Sequence, residues 1–588
     1  MAHRKYSSLI AGTVTGLRFA IKSFEPSLMP RSAIDQGLIT GGSFLTGFLA
    51  GSTIGRAVGV IPLLGGSRVL RFAGLAVTGV RSAQVTRSRL DPNELQHTPA
   101  GAWAETGGEL IGAMAIAGGS TGSAVGASRR ATFAALGVAS AMDLQAAINR
   151  RADSPTAAYL GKAIGIAAGT NAAVAGLGGI IFLGAALPRR AFRSRPLRAL
   201  GGLVGGAVTI AGISTAGRFA ATKVIAGIEA GNTRTEVRYG EPPSASTVSG
   251  STFSLIPFAT LGLQGRRLVS EVTTAEVIED ITGATPKAEP VRAYVGIASG
   301  THDDDLVELA IHELRRAGGF DRSTIIAASP AGTGYVNYIT IEAAELLAGG
   351  DVATVAIQYG GLPSMLSISR VPRAATLYGH LLQRLREEID RLDRNIELVA
   401  YGESLGALTS QMGVDAVSGA DRLIVDAALW VGTPYGSALF ERLTVDSGVP
   451  VFDRFEQFSS QVGSRRPPVT FLDHDNDPVT KFTPSMAYDM PEWLKAPDRG
   501  RGTNPYQRWL PGIAFFQGLI DTKNAATVVP GEFKSTGHDY RADLARFVAA
   551  AYGFTDVSDE QMAAIEKRLR DSEVRRAEAI AEGTIPTD

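Results

Sequence analysis

Hydrophobic residues fall into two different patterns along the chain. Before about residue 230 they form long uncharged runs. Four of these approach the roughly 20 residues that a bilayer core demands: Gly37 to Gly55, Leu110 to Ser128, Ala163 to Pro188 and Ala199 to Gly217. Weaker runs lie near Ser8 to Ile21, Phe72 to Val80 and Ala131 to Met142. Glycine costs about 1 kcal/mol in an exposed helix interior, yet these runs are full of it. Between lipid-embedded helices small residues allow close approach. Gly161, Gly165 and Gly169 share one helical face, and the pairs Gly201/Gly205 and Gly202/Gly206 repeat the spacing. The pattern predicts an all-α transmembrane domain of about four to seven spans.

Beyond about residue 290, short β-rich runs alternate with amphipathic helices, the signature of a parallel sheet covered on both faces. Strands are expected at Val291 to Ser299, Ser323 to Ser329, Val352 to Tyr359, Ile396 to Tyr401, Arg422 to Trp430 and Pro468 to Asp473. Helical spacing appears at Leu306, Leu309, Ala310 and Leu314, and again at Leu377, Leu381, Leu382 and Leu385. The acidic run Asp303 to Asp305 suits a helix N-terminus. The fold expected here is α/β, doubly wound, with a mostly parallel sheet. The organisation is then residues 1–230 as the membrane domain, 231–290 as linker and interfacial segment, 291–555 as the α/β domain and 556–588 as a charged C-terminal helix and tail. The linker contains "GEPPSASTVSGS", and Ser558 is the expected N-cap of the last helix.

Composition narrows the partners. The chain has 588 residues, long enough for two full cores. Lys+Arg and Asp+Glu both total 57, so no net charge favours nucleic acid. Cysteine is absent, which removes disulfides, thiolate metal sites and cysteine nucleophiles. A signal peptide is not expected, because Arg18 and Lys22 interrupt the first apolar run and no clean cleavage site follows. Five arginines between Arg189 and Arg198 place their loop in the cytoplasm by the positive-inside rule, leaving the α/β domain extracytoplasmic.

Two G-x-S-x-G matches occur, Gly118 to Gly122 around Ser120 and Gly402 to Gly406 around Ser404. Ser120 sits in an uncharged run with no strand before it and suits a helix–helix contact. Ser404 has the surroundings a nucleophile needs: the strand "IELVAY" before it, glycines on both sides of a sharp turn, and "LGALTSQMGVDAV" to begin a helix. Of seven histidines, only His474 and His538 follow Ser404. His538, on a glycine turn before the final "ADLARFVAAAYG" helix, is the expected base. His474 directly follows a strand, where the acid belongs. Asp473, Asp475 and Asp477 are the acid candidates, with Asp477 preferred because a loop residue several positions past the strand reaches the base most naturally. Its task would be to fix the imidazole tautomer. The alternating aspartates do not suit an EF-hand, since Pro478 and Pro484 stand where glycine and glutamate are needed. Oxyanion donors are expected at the Leu405 N–H and at Gly332 or Thr333 in "SPAGTGY". No cofactor or metal is expected. The stretch between acid and base carries Trp493, Trp509, Phe515 and Phe516, suited to an acyl-chain pocket, a cap or core packing.

The segments "PSLMPRSAIDQG", "FDRSTIIAASPAGTGYVN", "GDVATVAIQYGGLPS", "YGESLGA", "WVGTPYGS", "DNDPVTKFTPSM" and "GHDY" together resemble an actinobacterial membrane-linked alpha/beta-hydrolase family with a multi-span N-terminal domain. That resemblance implies a serine-hydrolase-like domain, with Ser404 and His538 on the family's elbow and terminal histidine. The function expected is a membrane-anchored serine esterase, lipase or acyltransferase, with the lipid bilayer and an acyl ester as partners. A non-catalytic transporter or scaffold is the competing class.

Overall fold

The computed structural model describes residues 2–58, 98–118, 137–138, 140–151, 155–190, scattered positions from 194 to 232, 234–419, 422–463, 465–525 and 528–584. Several sequence expectations therefore lie outside the described residues: Ser120 and its motif, the glycine pairs 201/205 and 202/206, most of the arginine loop, and much of the runs at Phe72, Leu110, Ala131 and Ala199. The chain forms two compact units, one of Met1–Arg218 with Lys481–Asn524, the other of Phe219–Thr480 with Ala525–Asp588.

The first unit contains helices α1 (Ala2–Lys22), α2 (Ala33–Val58), α3 (Pro99–Gly118) and α4 (Ala157–Arg190). Two stretches of the described residues are long and apolar enough to cross a membrane, Ala33–Ile54 in α2 and Ala157–Leu183 in α4. Close helix approach is present at the glycines of α2. A Cβ on Gly37 would sit 2.7 Å from Ile166, and one on Gly41 would touch Thr170 and Ala167, whereas among the described residues nothing lies within 4 Å of a Cβ built on Gly161, Gly165 or Gly169. The glycines of α2 thus receive the branched side chains of α4. Spacing alone shows which residues share a face, not which face a partner covers.

Charge gathers where the apolar runs stop. Arg18 and Lys22, one turn apart on α1, meet Glu105 and Glu109, one turn apart on α3. Arg18 also meets Asp143. Glu25 holds Arg150 at 3.0 Å and Arg508 at 2.6 Å. Ions this deeply buried persist only when each finds its partner. The 481–524 segment belongs to this network and to the unit's core. Trp509 is buried among Ala102, Met486, Met490, Leu494 and Ala514, and its Nε1 donates to the Met486 carbonyl at 2.7 Å. A Cβ on Gly42 would strike Phe516. Core packing therefore accounts for Trp509 and Phe516. The "PSLMPRSAIDQG" segment holds the helix Ala514–Asn524: Ser27 Oγ and the Leu28 N–H donate to Asp521 at 2.9 and 3.0 Å, and Asp35 pairs with Lys523.

The second unit is built on a sheet of seven parallel strands among the described residues, ordered β1-β3-β2-β4-β5-β7-β6. In chain order its elements are α5 (Gly262–Ser270), α6 (Ala275–Thr282), β1 (Val291–Val295), α7 (Asp303–Arg316), β2 (Thr324–Ser329), α8 (Tyr338–Leu347), β3 (Val352–Ile357), α9 (Val371–Asp390), β4 (Glu397–Glu403), α10 (Leu405–Val417), β5 (Ala427–Val431), β6 (Val451–Phe452), β7 (Val469–Leu472), α11 (Leu544–Tyr552) and α12 (Asp559–Ala581). Helices α7, α9 and α10 pack together on one side, α8, α11 and α12 on the other. The central strands are buried along their whole length, so they read as continuous apolar runs.

α9 buries Leu377, Leu381, Leu382 and Leu385, as its spacing predicts. α7 opens on a capping box in which Asp305 accepts the His302 N–H, and Ser558 caps α12 with Gln561. The expected connector is folded into this unit: Val248 is fully buried, and the Ser249 N–H donates to the Arg292 carbonyl at 2.9 Å. A linker composition reports local polarity and is silent on such long-range bonds.

The chain runs from β2 to β3 in one direction and from β4 to β5 in the other. Such a reversal opens a crevice beyond the carboxyl ends of β2 and β4, the place where open α/β sheets hold ligands.

Candidate active site

Both loops at that crevice carry residues singled out in the sequence. β4 ends at Glu403 and α10 begins at Leu405, so the turn between them is Ser404 alone. Its φ of 56° and ψ of −127° make it the one non-glycine residue with positive φ among those described. A strained side-chain-bearing residue costs on the order of 1–3 kcal/mol and persists only where the surroundings enforce it. The surroundings here are tight. A Cβ on Gly402 would lie 2.5 Å from the Gly406 carbonyl, and one on Gly406 would lie 2.3 Å from that of Ser329. Glycine is required at both positions because β4 and β2 press against the first turn of α10.

Past β2, the Ala331 N–H donates to the Tyr335 carbonyl and the Gly334 N–H to that of Ala331, each at 2.8 Å. The turn so closed leaves the Gly332 and Thr333 N–H groups without a hydrogen bond among the described residues. Leu405, in the first turn of α10, likewise has no intrahelical acceptor for its N–H.

The acid and base candidates come together. His538 Nδ1 and Asp477 Oδ2 are 2.7 Å apart, and Asp477 is fully buried. Tyr540 donates its hydroxyl to the same oxygen at 2.6 Å, while the Val479 N–H donates to Oδ1 at 2.8 Å. The imidazole lies over Gly432, where a Cβ would sit 2.7 Å from His538 Cε1. Gly432 follows Val431, whose carbonyl accepts the Ser404 N–H at 2.9 Å. That places His538 beside the elbow.

The other candidates are held elsewhere. His474 is buried, with Nδ1 at 2.8 Å from the Gly537 carbonyl, Nε2 at 3.3 Å from Asp543, and its ring stacked on Tyr540. Asp473 accepts the Thr433 N–H at 2.8 Å, and the Asp475 N–H donates to Asp453. Each of these bonds braces a loop.

Three further residues complete the group. Asn476 joins the two loops, accepting the Gly537 N–H and donating to Thr536 Oγ1, both at 2.8 Å. Tyr540 ties Asp477 to His474, whose N–H donates to its hydroxyl at 3.1 Å. Glu403 accepts from Asn337 at 2.6 Å and from the Tyr401 hydroxyl at 2.8 Å. Burial raises the Glu403 carboxyl above the usual range, against the nearby His538 charge and these two donors. Burial opposes charge on His538, yet Asp477, followed by Glu403 and Asp473, lifts that imidazole to about 9. Tyr540 and Glu403 had a visible signal, lying inside "GHDY" and "YGESLGA", but nothing local shows what they touch.

A buried acid–imidazole pair beside a strained serine, with unpaired N–H groups on the flanking loops, can activate a hydroxyl and receive a developing oxyanion. The model of an alpha/beta-hydrolase family matches residues 291–565, and the model of an alpha/beta-hydrolase family N-terminus matches residues 24–272. No curated protein and no solved structure matches the chain.

Proposed function

Since the chain belongs to this alpha/beta-hydrolase family, we propose that it is a membrane-anchored serine hydrolase or acyltransferase acting on an acyl ester. The observation that carries this reading is the Asp477–His538 pair set over Gly432 beside the Ser404 elbow. Ser404 Oγ attacks the ester carbonyl and passes its proton to His538 Nε2, while Asp477 holds Nδ1–H and stabilises the imidazolium. The tetrahedral oxyanion is received by the Leu405 N–H and by that of Gly332 or Thr333. The alcohol leaves with the proton from His538. Water then releases the acyl group from Ser404, or a sugar or lipid hydroxyl accepts it.

The two bilayer-length helices support a membrane location, and a lipid or cell-envelope ester is the substrate class such a location favours. The arginines from 189 to 198 support an extracytoplasmic catalytic unit in a multi-pass protein. No cofactor is needed for this chemistry.

The test is labelling of the full chain with a fluorophosphonate, which reacts with activated serines. Wild type should label and Ser404→Ala should not. Equal labelling of the two would remove Ser404 as nucleophile, and absence of labelling in wild type would favour a non-catalytic binding module.

A further inference from the structure

α12 reads in the sequence as a charged surface helix, but one of its faces lines a cavity of about 280 Å³ in the second unit. Arg238, Arg568 and Arg575 line it together with Ser270 and the carboxylates Glu271 and Glu342. The carboxylates are already engaged. Arg576 Nε lies 3.1 Å from Glu271 Oε2 and its Nη2 meets Glu342, while the Tyr239 hydroxyl donates to Glu271 Oε1 at 2.7 Å. The three lining arginines have no carboxylate partner among the described residues. Among the described residues the Arg575 side chain donates to Ser572 Oγ alone, at 2.8 Å, and the side chains of Arg238 and Arg568 make no hydrogen bond.

Four guanidinium groups against two carboxylates leave a surplus of two positive charges. Arg568 feels the crowding: burial and the charges of Arg575 and Arg576 disfavour its cationic form, with Glu342 acting the other way. The Ser270 hydroxyl and Glu342 Oε2 are buried with no hydrogen-bond partner. Guanidinium groups left without a carboxylate in a cavity wall favour an anion as its occupant.

We propose that this cavity binds a phosphate monoester. A monoester carries about −1.5 to −2 charge at neutral pH, which matches the surplus, and its oxygens suit the fork of a guanidinium. The volume lies near the lower end of ligand pockets, roughly 300 Å³, which fits a small phosphorylated group. That group is the head of a membrane lipid or a soluble metabolite. Neither assignment depends on the Ser404 chemistry, because no lining residue belongs to that group.

The test uses the full chain in detergent, titrated with glycerol 3-phosphate, and the chain mixed with phosphatidylcholine vesicles with and without phosphatidic acid. Saturable binding of at least one probe is expected. Arg568→Gln and Arg238→Gln should each weaken it about tenfold, the loss of one charge-assisted contact. Arg238 is exposed, so its variant keeps the test valid if Arg568→Gln fails to fold. Binding of glycerol 3-phosphate marks the soluble source, and arginine-dependent flotation with phosphatidic acid alone marks the lipid headgroup. Absence of binding to both probes, or unchanged affinity in the folded variants, would overturn the assignment.

Discussion

Gly432→Ala tests whether His538 works where it lies. Gly432 has φ +60°, and an added Cβ would stand 2.7 Å from His538 Cε1, 2.9 Å from Tyr540 Cε2 and 3.1 Å from His538 Nδ1. Ordinary contact begins near 3.4 Å, so the imidazole must retreat by roughly 0.7 Å. A misplacement of about 1 Å in a catalytic group can cost 10²-fold, which puts the expected loss in kcat/KM between about 10- and 100-fold. The left-handed backbone adds about 1–2 kcal/mol of strain, or a few degrees in Tm. Gly448→Ala separates the two effects: its φ is +70°, and among the described residues nothing lies within 4 Å of its Cβ position. It should lower Tm to a similar extent and leave ester hydrolysis intact. Both variants are measured by hydrolysis of a chromogenic ester and by thermal unfolding. A folded Gly432→Ala protein with wild-type kcat/KM would refute the role of His538, and equal activity losses in the two variants would refute the steric argument.

Four other outcomes are expected. With the His538 imidazole lifted to about 9, about one molecule in a hundred holds a neutral base at pH 7, so kcat/KM should climb about tenfold per pH unit before levelling near pH 9. Because the folded value lies above the ordinary one, pairing with Asp477 stabilises fully below about pH 6.5. That contribution is lost as pH rises through about 9, so a Tm that falls across this window in wild type and stays flatter in Asp477→Asn is expected. Tyr540→Phe strips one donor from Asp477 and leaves the buried His474 N–H unpaired. It should cost about 1–3 kcal/mol in denaturant unfolding, and unchanged stability would count against it. Arg508→Met leaves Glu25 and Glu105 facing a lost charge in the first unit. Glu25 keeps Arg150 and Glu105 keeps Lys22, so a destabilisation of about 1.5–3 kcal/mol is expected for the lost charge-assisted bonds, seen as a lower thermal transition of the purified chain.

What the sequence reveals and what it hides follow from range. Six strands are legible because β-rich runs between helices report their own burial, whereas β6 is two residues long and carries no period. The Ser404 elbow is legible because strand, glycine, serine, glycine and helix are contiguous. Chain order narrows the acid to Asp473, Asp475 and Asp477 and the base to His474 and His538, loop position favours Asp477 and His538, and these two do meet. Contacts between distant segments leave no such mark. Nothing in "EWLKAP" or "QRWLPG" says that Trp509 is packed among residues from α3, and nothing in α12 says that Arg576 is inside. Glu403 illustrates the middle case. It is visible in the motif, and Tyr401, two residues earlier on the same strand face, is local to it, but only the fold brings Asn337 and His538 to its carboxylate.

The route of the chain between acid and base bears on how the pair is kept in register. Asp477 precedes a segment, Lys481–Asn524, that packs in the first unit, and His538 comes only after the chain has returned at Ala525. An excursion of that length would leave the pair loosely aligned if only its own hydrogen bond joined the two sides. Instead the two loops are tied by six bonds besides that one: Asn476 to Gly537, Asn476 to Thr536, His474 to Gly537, His474 to Asp543, and Tyr540 to both Asp477 and the His474 N–H. Charge-assisted and buried bonds of this kind hold geometry as well as energy. The acid–base alignment is therefore a property of the second unit's own loops. The excursion can serve the first unit, and its sequence can change to suit that unit, without moving Asp477 from His538.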